Sequence, residues 1–428
     1  MSLPPELAAL VESARTVERR PRLEGPVSVL YGGAHLFRAG SFEKLGALAR
    51  ATFADVVRDE SDVCAIVGEG ALPHADAIRR RVEKKLAEAP LEDVRVDFED
   101  GYGLRSDDEE DADATRVGAV LASRPAAAPR WMGVRVRAFE RATAERAART
   151  LVRVARELDR ASLPERFVVT LPKVRGPEDV ARFTRLLLWI ERDRGLREGS
   201  LGLELMIELP SALVARGGLA LGALLDAGEG RVTSVHLGAY DLLSACDVAA
   251  SFQSLAHPLC DLARGLMVLG AEGRVRVADG ATTRLPLPVH RGALDPGQVE
   301  ENRVAIRDAL RAHATNVTAA LSTGIHQGWD LHPAQLVGRY LALAAHYEAN
   351  LHRSAERLAA FVDQAARARA SGQTFDDAAT AEGLLAFFAQ GLASTLLSEG
   401  DLAPTGISAS DLSTLDFARL VAKYGARG

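Results

Sequence analysis

The chain has 428 residues, 47% of them hydrophobic, with a formal net charge of −6. This length is enough for one large α/β barrel with an appendage, or for two domains. The acidic balance argues against a nucleic-acid-binding protein, because no broad basic field would attract phosphates.

Short apolar runs alternate with helical patterns along most of the chain. The strand candidates, in order, are PVSVLYGG (26–33), VRVDFEDGYG (94–103), WMGVRVRAFE (131–140), RFVVTLPKVRG (166–176), GLELMIELP (202–210), VTSVHLGAYD (232–241), RVRVADG (274–280) and GIHQGWDLHP (324–333). Alternation of strands with helices is typical of a parallel sheet, and nearly continuous apolar strands indicate that both its faces are covered. Eight repeats predict closure into an α/β fold of the (β/α)₈ TIM-barrel type.

Helical patterns are expected at both ends of this barrel. Residues 4–20 predict an N-terminal helix, so residues 1–340 are assigned to the barrel and that helix. After about Arg339 the strand signal stops, and a long helical pattern follows that breaks at 372–375. Residues 341–428 are interpreted as a helical C-terminal extension that either covers a barrel edge or a neighbouring subunit, or acts as a lid.

The cysteines and the N-terminus indicate the compartment. Cys64, Cys246 and Cys260 form no CxxC pair, so we expect reduced thiols and a cytoplasmic protein. The opening MSLPPELAAL lacks the basic region and apolar core of a signal peptide, and no apolar run is long enough to span a bilayer. No membrane partner is therefore expected.

Two acids at successive strand ends form the candidate metal site. Glu208 and Asp241 are 33 residues apart, about one β-α repeat, so neighbouring parallel strands would hold them side by side. Two carboxylates open to solvent suit an oxygen-preferring cation such as Mg²⁺. The alternatives are a buried ion pair for either acid, or a helix N-cap for Asp241.

Other polar residues lie at predicted strand ends, where the active sites of β/α barrels are found. Charged groups are costly in such a barrel unless they are paired or bind a metal, which makes these positions informative. Strand alternation does not decide whether Glu99 or Asp100 faces the cavity, and it predicts one shared face for Arg135 and Arg137. Lys173 and His332 complete this set. Glu204 is interpreted as an internal ion-pair member, whereas the acid run at 105–114 is interpreted as a solvated helix start.

Six segments, in register over residues 26–340, resemble the HpcH/HpaI aldolase/citrate lyase family, in particular its citrate lyase β-subunit-like proteins. VDFEDGYG resembles the family's DLEDAV strand end, GVRVRAFE its VRVN strand, and LPKVRGPEDV its PK segment. ELMIELPSAL resembles its IE strand, HLGAYDLLSACDV its DL strand end, and GWDLHPAQLV its IHP segment. The resemblance implies a (β/α)₈ barrel and a carbon–carbon lyase or aldolase that depends on Mg²⁺ or Mn²⁺. The implied substrate is a small carboxylate, either a 2-keto acid or a CoA thioester, and the implied assembly is a homo-oligomer.

The same resemblance implies roles for individual residues. Glu208 and Asp241 match the metal ligands, and Arg135 matches the arginine that binds a substrate oxygen. Glu99 and Asp100 match acids that position water or move a proton. Lys173 and His332 match further substrate-facing positions.

Several departures from the family pattern indicate a divergent member. Arg137 stands where the family has Asn, and Tyr240 where it has Glu. The first strand continues as VLYGGAHLFRAG in place of the family's phosphate- or CoA-facing loop. In this loop, His35 and Arg38 are candidates for contact with an anionic substrate.

The chemistry has a physical basis that does not depend on the resemblance. Cleaving a carbon–carbon bond next to a carbonyl leaves an enolate, whose oxygen is stabilised by preorganised positive charge such as a divalent cation and a fixed guanidinium. Two other functions remain open: a metal-independent aldolase that uses Lys173 as a Schiff-base nucleophile, and a non-catalytic ligand-binding barrel. Arg135 and Lys173 could also serve only as partners of barrel acids, and His332 only as a satisfied buried histidine.

Overall fold

A computed structural model of the protein describes residues 25–370, 378–412 and 423. The helix expected at 4–20 and the break expected at 372–375 lie outside the described residues.

Eight parallel strands form a closed barrel in which each strand pairs with the next along the chain and the last pairs with the first. The strands are β1 (Ser28–Gly33), β2 (Asp93–Asp97), β3 (Trp131–Arg135), β4 (Arg166–Leu171), β5 (Gly202–Ile207), β6 (Val232–Leu237), β7 (Arg276–Ala281) and β8 (Gln327–Asp330). The predicted (β/α)₈ barrel is therefore confirmed. Most strands end before the predicted segments do, because the polar residues that follow belong to the loops at the carboxyl end of the barrel.

Helices surround the barrel and continue beyond it. They are α1 (Ser41–Val56), α2 (Glu60–Val67), α3 (Ala75–Glu88), α4 (Asp107–Ser123), α5 (Ala144–Arg156), α6 (Pro177–Asp193), α7 (Pro210–Leu213), α8 (Leu221–Ala227), α9 (Ala239–Ala245), α10 (Pro258–Ala271), α11 (Pro296–Ser322), α12 (Gln335–Ala370), α13 (Ala378–Ala393), α14 (Glu399–Leu402) and α15 (Ala409–Leu412). A short hairpin, Val214–Ala215 paired with Gly218–Leu219, follows α7. No described helix combines the length and hydropathy needed to cross a membrane.

The acid run at 105–114 starts a helix, as expected, but it is less solvated than the sequence suggested. A capping box of Ser106 and Glu109 begins α4 and satisfies its first backbone N–H groups. Glu110 and Asp111, however, are buried. They pair with arginines of α5 and of the loop after β3. These acids therefore join α4 to its neighbours, because buried carboxylates require such partners.

The barrel interior contains a buried polar network centred on Glu204. Its Oε1 accepts hydrogen bonds from the hydroxyls of Tyr31, at 2.9 Å, and Thr170, at 2.8 Å. Its Oε2 accepts one from Ser234 at 2.7 Å, and Nε of the buried Arg95 lies 3.8 Å from Oε1. Glu204 is thus an internal ion-pair member, as interpreted from the sequence.

The first and last strands are joined by side chains as well as by backbone pairing. Ser28 on β1 donates a hydrogen bond of 2.6 Å to Asp330 at the end of β8. Arg339 on α12 binds the same carboxylate at 2.8 and 3.1 Å, and His313 on α11 lies 2.9 Å from it. Burial by itself would raise the pKa of Asp330, but these partners hold that pKa well below its usual range. The cluster anchors α11 and α12 at the closure of the barrel.

The long helix α12 continues without a break through the predicted domain boundary at 340/341, and that boundary stays a prediction. Arg81 on α3 joins the later helices to the barrel. Its guanidinium binds Asp401 on α14 at 2.7 and 2.9 Å, and it also pairs with Glu348 on α12.

Candidate active site

Five carboxylates and two basic side chains meet at the carboxyl ends of β2 to β6. We call them the charged cluster: Asp97, Glu99, Asp100, Glu208, Asp241, Arg135 and Lys173. All except Asp97 were candidates from the sequence. The cluster lies where active sites of this architecture are found.

Arg135 is held in one orientation by Asp97. The two residues are direct neighbours in the register of β2 and β3. Nε of Arg135 lies 2.7 Å from Oδ1 of Asp97, and Nη2 lies 2.5 Å from Oδ2. Asp97 also accepts hydrogen bonds from the backbone N–H groups of Glu99 and Gly101, at 2.9 and 2.8 Å. One carboxylate therefore fixes both the guanidinium and the turn that carries Glu99.

The remaining edge of the Arg135 guanidinium faces the acids after β2. Nη1 lies 3.1 Å from Oε2 of Glu99 and 3.6 Å from Oδ2 of Asp100. Glu99 is buried, with 9% of its side chain exposed, whereas Asp100 is 60% exposed. The turn thus resolves what strand alternation left open: Glu99 faces the interior and Asp100 the mouth.

Lys173 connects the acids of opposite sides of the cluster. Its Nζ donates a hydrogen bond of 2.5 Å to Oε1 of Glu99 and lies 3.7 Å from Oδ2 of Asp241 and 3.9 Å from Oδ1 of Asp100. Its backbone N–H donates to Oε1 of Glu208. Burial by itself would lower the pKa of Lys173. The carboxylate of Glu99 nevertheless raises this pKa, and Glu208 and Asp100 add to the rise. Lys173 is therefore held as an ammonium.

Glu208 and Asp241 follow strands that are neighbours, as predicted, because β5 pairs with β6. Glu208 is 1% exposed, and Asp241, in the first turn of α9, is 43% exposed. Burial raises the pKa of Glu208 to about 8, and Asp241 and Glu99 add to the rise while Lys173 opposes it. A Cβ at Gly238 would overlap the side chain of Glu208, so glycine is required directly after β6, where the chain passes this side chain.

Aromatic rings form the floor beneath Arg135. Its Cζ lies 5.4 Å from the centroid of the Tyr31 ring and 5.1 Å from that of Trp329. These distances allow cation–π attraction, which favours a guanidinium at this position. Neither ring was a candidate in the sequence analysis, which considered charged residues and histidines at the strand ends.

Two of the predicted residues make other contacts. Arg137 was expected on the same face as Arg135, but β3 ends at Arg135, and Arg137 turns away to bind Glu110 of α4 at 2.8 and 3.0 Å. Nδ1 of His332 accepts a hydrogen bond of 3.2 Å from the backbone of Ala334, and burial lowers its pKa. Neither residue is hydrogen-bonded to the charged cluster within the described part of the chain.

The loop after β1 carries the two remaining candidates. His35 lies against Tyr102, with ring centroids 5.8 Å apart, and burial together with Arg105 lowers its pKa. Arg38 is exposed, and its guanidinium donates to the carbonyl of Phe37 at 2.9 Å. In the described ranges, no hydrogen bond or ion pair joins either residue to the charged cluster. Their contact with a substrate stays a prediction.

Residues 15–420 match the family described as a domain of unknown function, DUF6986. The chain belongs to this family. No curated protein matches the sequence. Among solved structures, one described as a citrate lyase from Burkholderia xenovorans LB400 has 18% identity and a TM-score of 0.56, and the match covers 90% of this chain and 98% of that one. Native malate synthase from Haloferax volcanii has 18% identity and a TM-score of 0.49, with 76% of each chain covered. The first similarity shows a shared fold.

The charged cluster offers carboxylate oxygens, which are the ligands that magnesium and manganese prefer. Among the described residues, no group of three or more His, Cys, Asp or Glu side chains is arranged to hold a metal ion. Magnesium, however, commonly uses one or two protein carboxylates and takes its other ligands from water and substrate. Glu208 and Asp241 supply two such carboxylates, and the acids of the cluster outnumber its basic groups by three. This surplus of negative charge would favour an added cation.

Proposed function

We propose that this protein is a Mg²⁺-dependent carbon–carbon lyase or aldolase, a divergent relative of the HpcH/HpaI aldolase/citrate lyase family. Its substrate would be a 2-keto acid or an acyl-CoA thioester that reacts through an enolate. The observation that carries the proposal is the pairing of a fixed, buried Arg135 with a surplus of carboxylates at the mouth of the barrel. The fold shared with the protein described as a citrate lyase is consistent with it.

Arg135 would bind and orient the substrate. Its guanidinium stays protonated, and Asp97 orients it before the substrate arrives. A preorganised cation aimed at a developing oxyanion is among the largest contributions to catalysis. The edge of Arg135 that faces Glu99 and Asp100 is the edge a carboxylate or carbonyl oxygen would meet.

The acids would divide the remaining tasks according to their surroundings. Glu208 and Asp241 would hold the divalent cation, which when bound supplies Lewis-acid polarisation of the carbonyl. Glu99 is engaged by both Arg135 and Lys173, so we assign it an orienting role. Asp100 is the more exposed acid beside Arg135, and we assign it the proton transfer.

The geometry argues against Lys173 as a Schiff-base nucleophile. A nucleophilic lysine is a neutral amine, favoured by apolar surroundings or a nearby cation. Lys173 instead donates to Glu99, and its pKa is raised. Its ammonium is thus stabilised, which disfavours attack on a carbonyl.

A turnover assay with and without chelator tests the proposal. Hydroxylated 2-keto acids and 3-hydroxyacyl-CoA thioesters would be incubated with the protein in Mg²⁺ or in EDTA, and the released keto acid or aldehyde measured. We expect cleavage that EDTA abolishes and added Mg²⁺ restores. Turnover that persists in EDTA, with covalent capture of a keto acid at Lys173 by borohydride, would establish the alternative aldolase. Binding without turnover of any substrate would indicate a non-catalytic barrel.

A further inference from the structure

The ammonium of Lys173 occupies the centre of the charged cluster. Its Nζ lies within 4 Å of three carboxylates: 2.5 Å from Glu99, 3.7 Å from Asp241 and 3.9 Å from Asp100. Its backbone N–H donates a hydrogen bond to a fourth of the five carboxylates, that of Glu208. This residue therefore contacts or approaches both proposed metal ligands, one through its main chain and the other through its side chain.

The backbone of Lys173 is in an uncommon conformation that serves this double contact. Its φ of 52° lies in the left-handed region, which is unfavourable for residues other than glycine and persists only where surrounding bonds hold it. The hydrogen bonds to Glu208 and Glu99 are such bonds. The loop after β4 thus directs an N–H at one acid and a charged side chain at the others.

Of the two basic groups in the cluster, only Lys173 can readily move. Arg135 is 2% exposed and is fixed by two bonds to Asp97. The side chain of Lys173 is 28% exposed, and its four-carbon stem can place the ammonium elsewhere. A divalent cation between Glu208 and Asp241 would meet the field of this ammonium, and the ammonium would be the group to give way.

We propose that Lys173 is the internal counter-ion of the charged cluster: it balances the acids when no metal is bound, and its ammonium is displaced when a divalent cation binds. The inference rests on the proposed function, since it takes Glu208 and Asp241 as the ligands. Two consequences follow. Lys173 keeps like charges together in the metal-free protein, and it weakens metal binding by competing for the same carboxylates.

The competition is large enough to measure. Near a protein surface, unit charges a few ångströms apart interact by several times the thermal energy, and a divalent cation doubles the repulsion from an ammonium. Removing the ammonium also removes some stabilisation of the ionised acids, which offsets part of the gain. A net tightening of metal binding by about tenfold or more is therefore expected for a neutral side chain at this position.

Mn²⁺ titration by isothermal calorimetry tests the inference, with every variant measured in the same buffer at the same pH. The variants are Lys173→Met, which removes the charge, and Lys173→Arg, which keeps it. Both retain the backbone N–H that binds Glu208. Arg175→Met is the matched control, because Arg175 is an exposed cation two residues away that pairs with Glu140 instead. Thermal unfolding would verify that each variant is folded, with Lys173→Gly, suited to a left-handed φ, as the substitute if Lys173→Met is not.

We expect Lys173→Met to bind Mn²⁺ about tenfold more tightly than the wild type, with Lys173→Arg and Arg175→Met unchanged. An unchanged or weaker affinity in Lys173→Met, together with loss of binding in Glu208→Gln, would overturn the counter-ion role and leave the metal site intact. Absence of Mn²⁺ binding in the wild type and in Lys173→Met would overturn the metal site and the proposed function as well.

Discussion

Arg135 and Asp97 form a two-pronged ion pair at the ends of adjacent strands, with Nε–Oδ1 and Nη2–Oδ2 distances of 2.7 and 2.5 Å. Both side chains are nearly inaccessible to solvent. The pair leaves only Nη1 of the guanidinium to face Glu99 and the mouth. Its geometry depends on the planar fork of arginine, which lysine cannot reproduce.

Arg135→Lys is therefore expected to damage both function and stability. Under the proposed function, loss of an oriented cation lowers kcat/KM by about 10²- to 10³-fold. The free energy of unfolding falls by about 2 kcal/mol, because Asp97 loses a buried partner. Steady-state kinetics and urea unfolding measure the two effects.

Arg130→Lys provides the control for that substitution. Arg130 also binds a carboxylate with two bonds, those to Glu165 at 2.8 and 3.2 Å, but both side chains are more than half exposed. An exposed ion pair contributes little to stability, so we expect the free energy of unfolding to change by no more than about 1 kcal/mol. Equal losses in the two variants would contradict a special role for the buried pair.

The raised pKa of Glu208 predicts a pH dependence of stability. Because the pKa rises from an ordinary 4.5 to about 8 on folding, the folded protein binds the proton more tightly than the unfolded chain. The contribution of Glu208 to the free energy of unfolding therefore falls as the pH rises from about 4.5 to about 8, and is level outside that window.

Glu208→Gln should remove this dependence, since glutamine stays neutral at every pH. Comparing urea unfolding of the two proteins across the window isolates the contribution of this one carboxylate. The wild type is expected to lose stability relative to the variant as the pH rises. Parallel stability curves would show that Glu208 titrates normally and that its burial is compensated by other groups.

Gly133 on β3 is required by the close approach of β4. A Cβ there would overlap the backbone carbonyl of Val168, which cannot move without breaking strand pairing. We expect Gly133→Ala to lower the free energy of unfolding by about 3 kcal/mol or more. Gly32→Ala on β1 is the control, because a Cβ there meets nothing within 4 Å. The free energy of unfolding of Gly32→Ala should stay within about 1 kcal/mol of the wild-type value. A similar loss of stability in both variants would contradict the steric explanation.

Periodicity in the sequence was sufficient to predict the barrel and the end of the barrel that carries the charged groups. The apolar runs marked the strands, and the acids that follow them, such as Glu208 and Asp241, stood out because charge after a buried run is costly. The spacing of Glu208 and Asp241, about one β-α repeat, predicted that they follow neighbouring strands.

Features that depend on register or on local backbone conformation could not be predicted in this way. The partnership of Asp97 and Arg135 arises from the pairing register of β2 and β3, which no single segment encodes. Arg137 was assigned to the wrong face because β3 ends at Arg135, five residues before the predicted segment does. The left-handed backbone of Lys173 directs its N–H at Glu208. The residue type does not predict this conformation, because lysine rarely adopts it.

Calorimetric Mg²⁺ and Mn²⁺ binding to the wild type, Glu208→Gln and Asp241→Asn tests whether Glu208 and Asp241 are the metal ligands. Asp247→Asn is the control, because Asp247 is an exposed acid just after the helix that carries Asp241, with a φ of 57° that asparagine tolerates. We expect either ligand substitution to weaken metal binding by at least about 100-fold, while the control binds as the wild type does. Equal metal affinity in all four proteins would contradict this assignment.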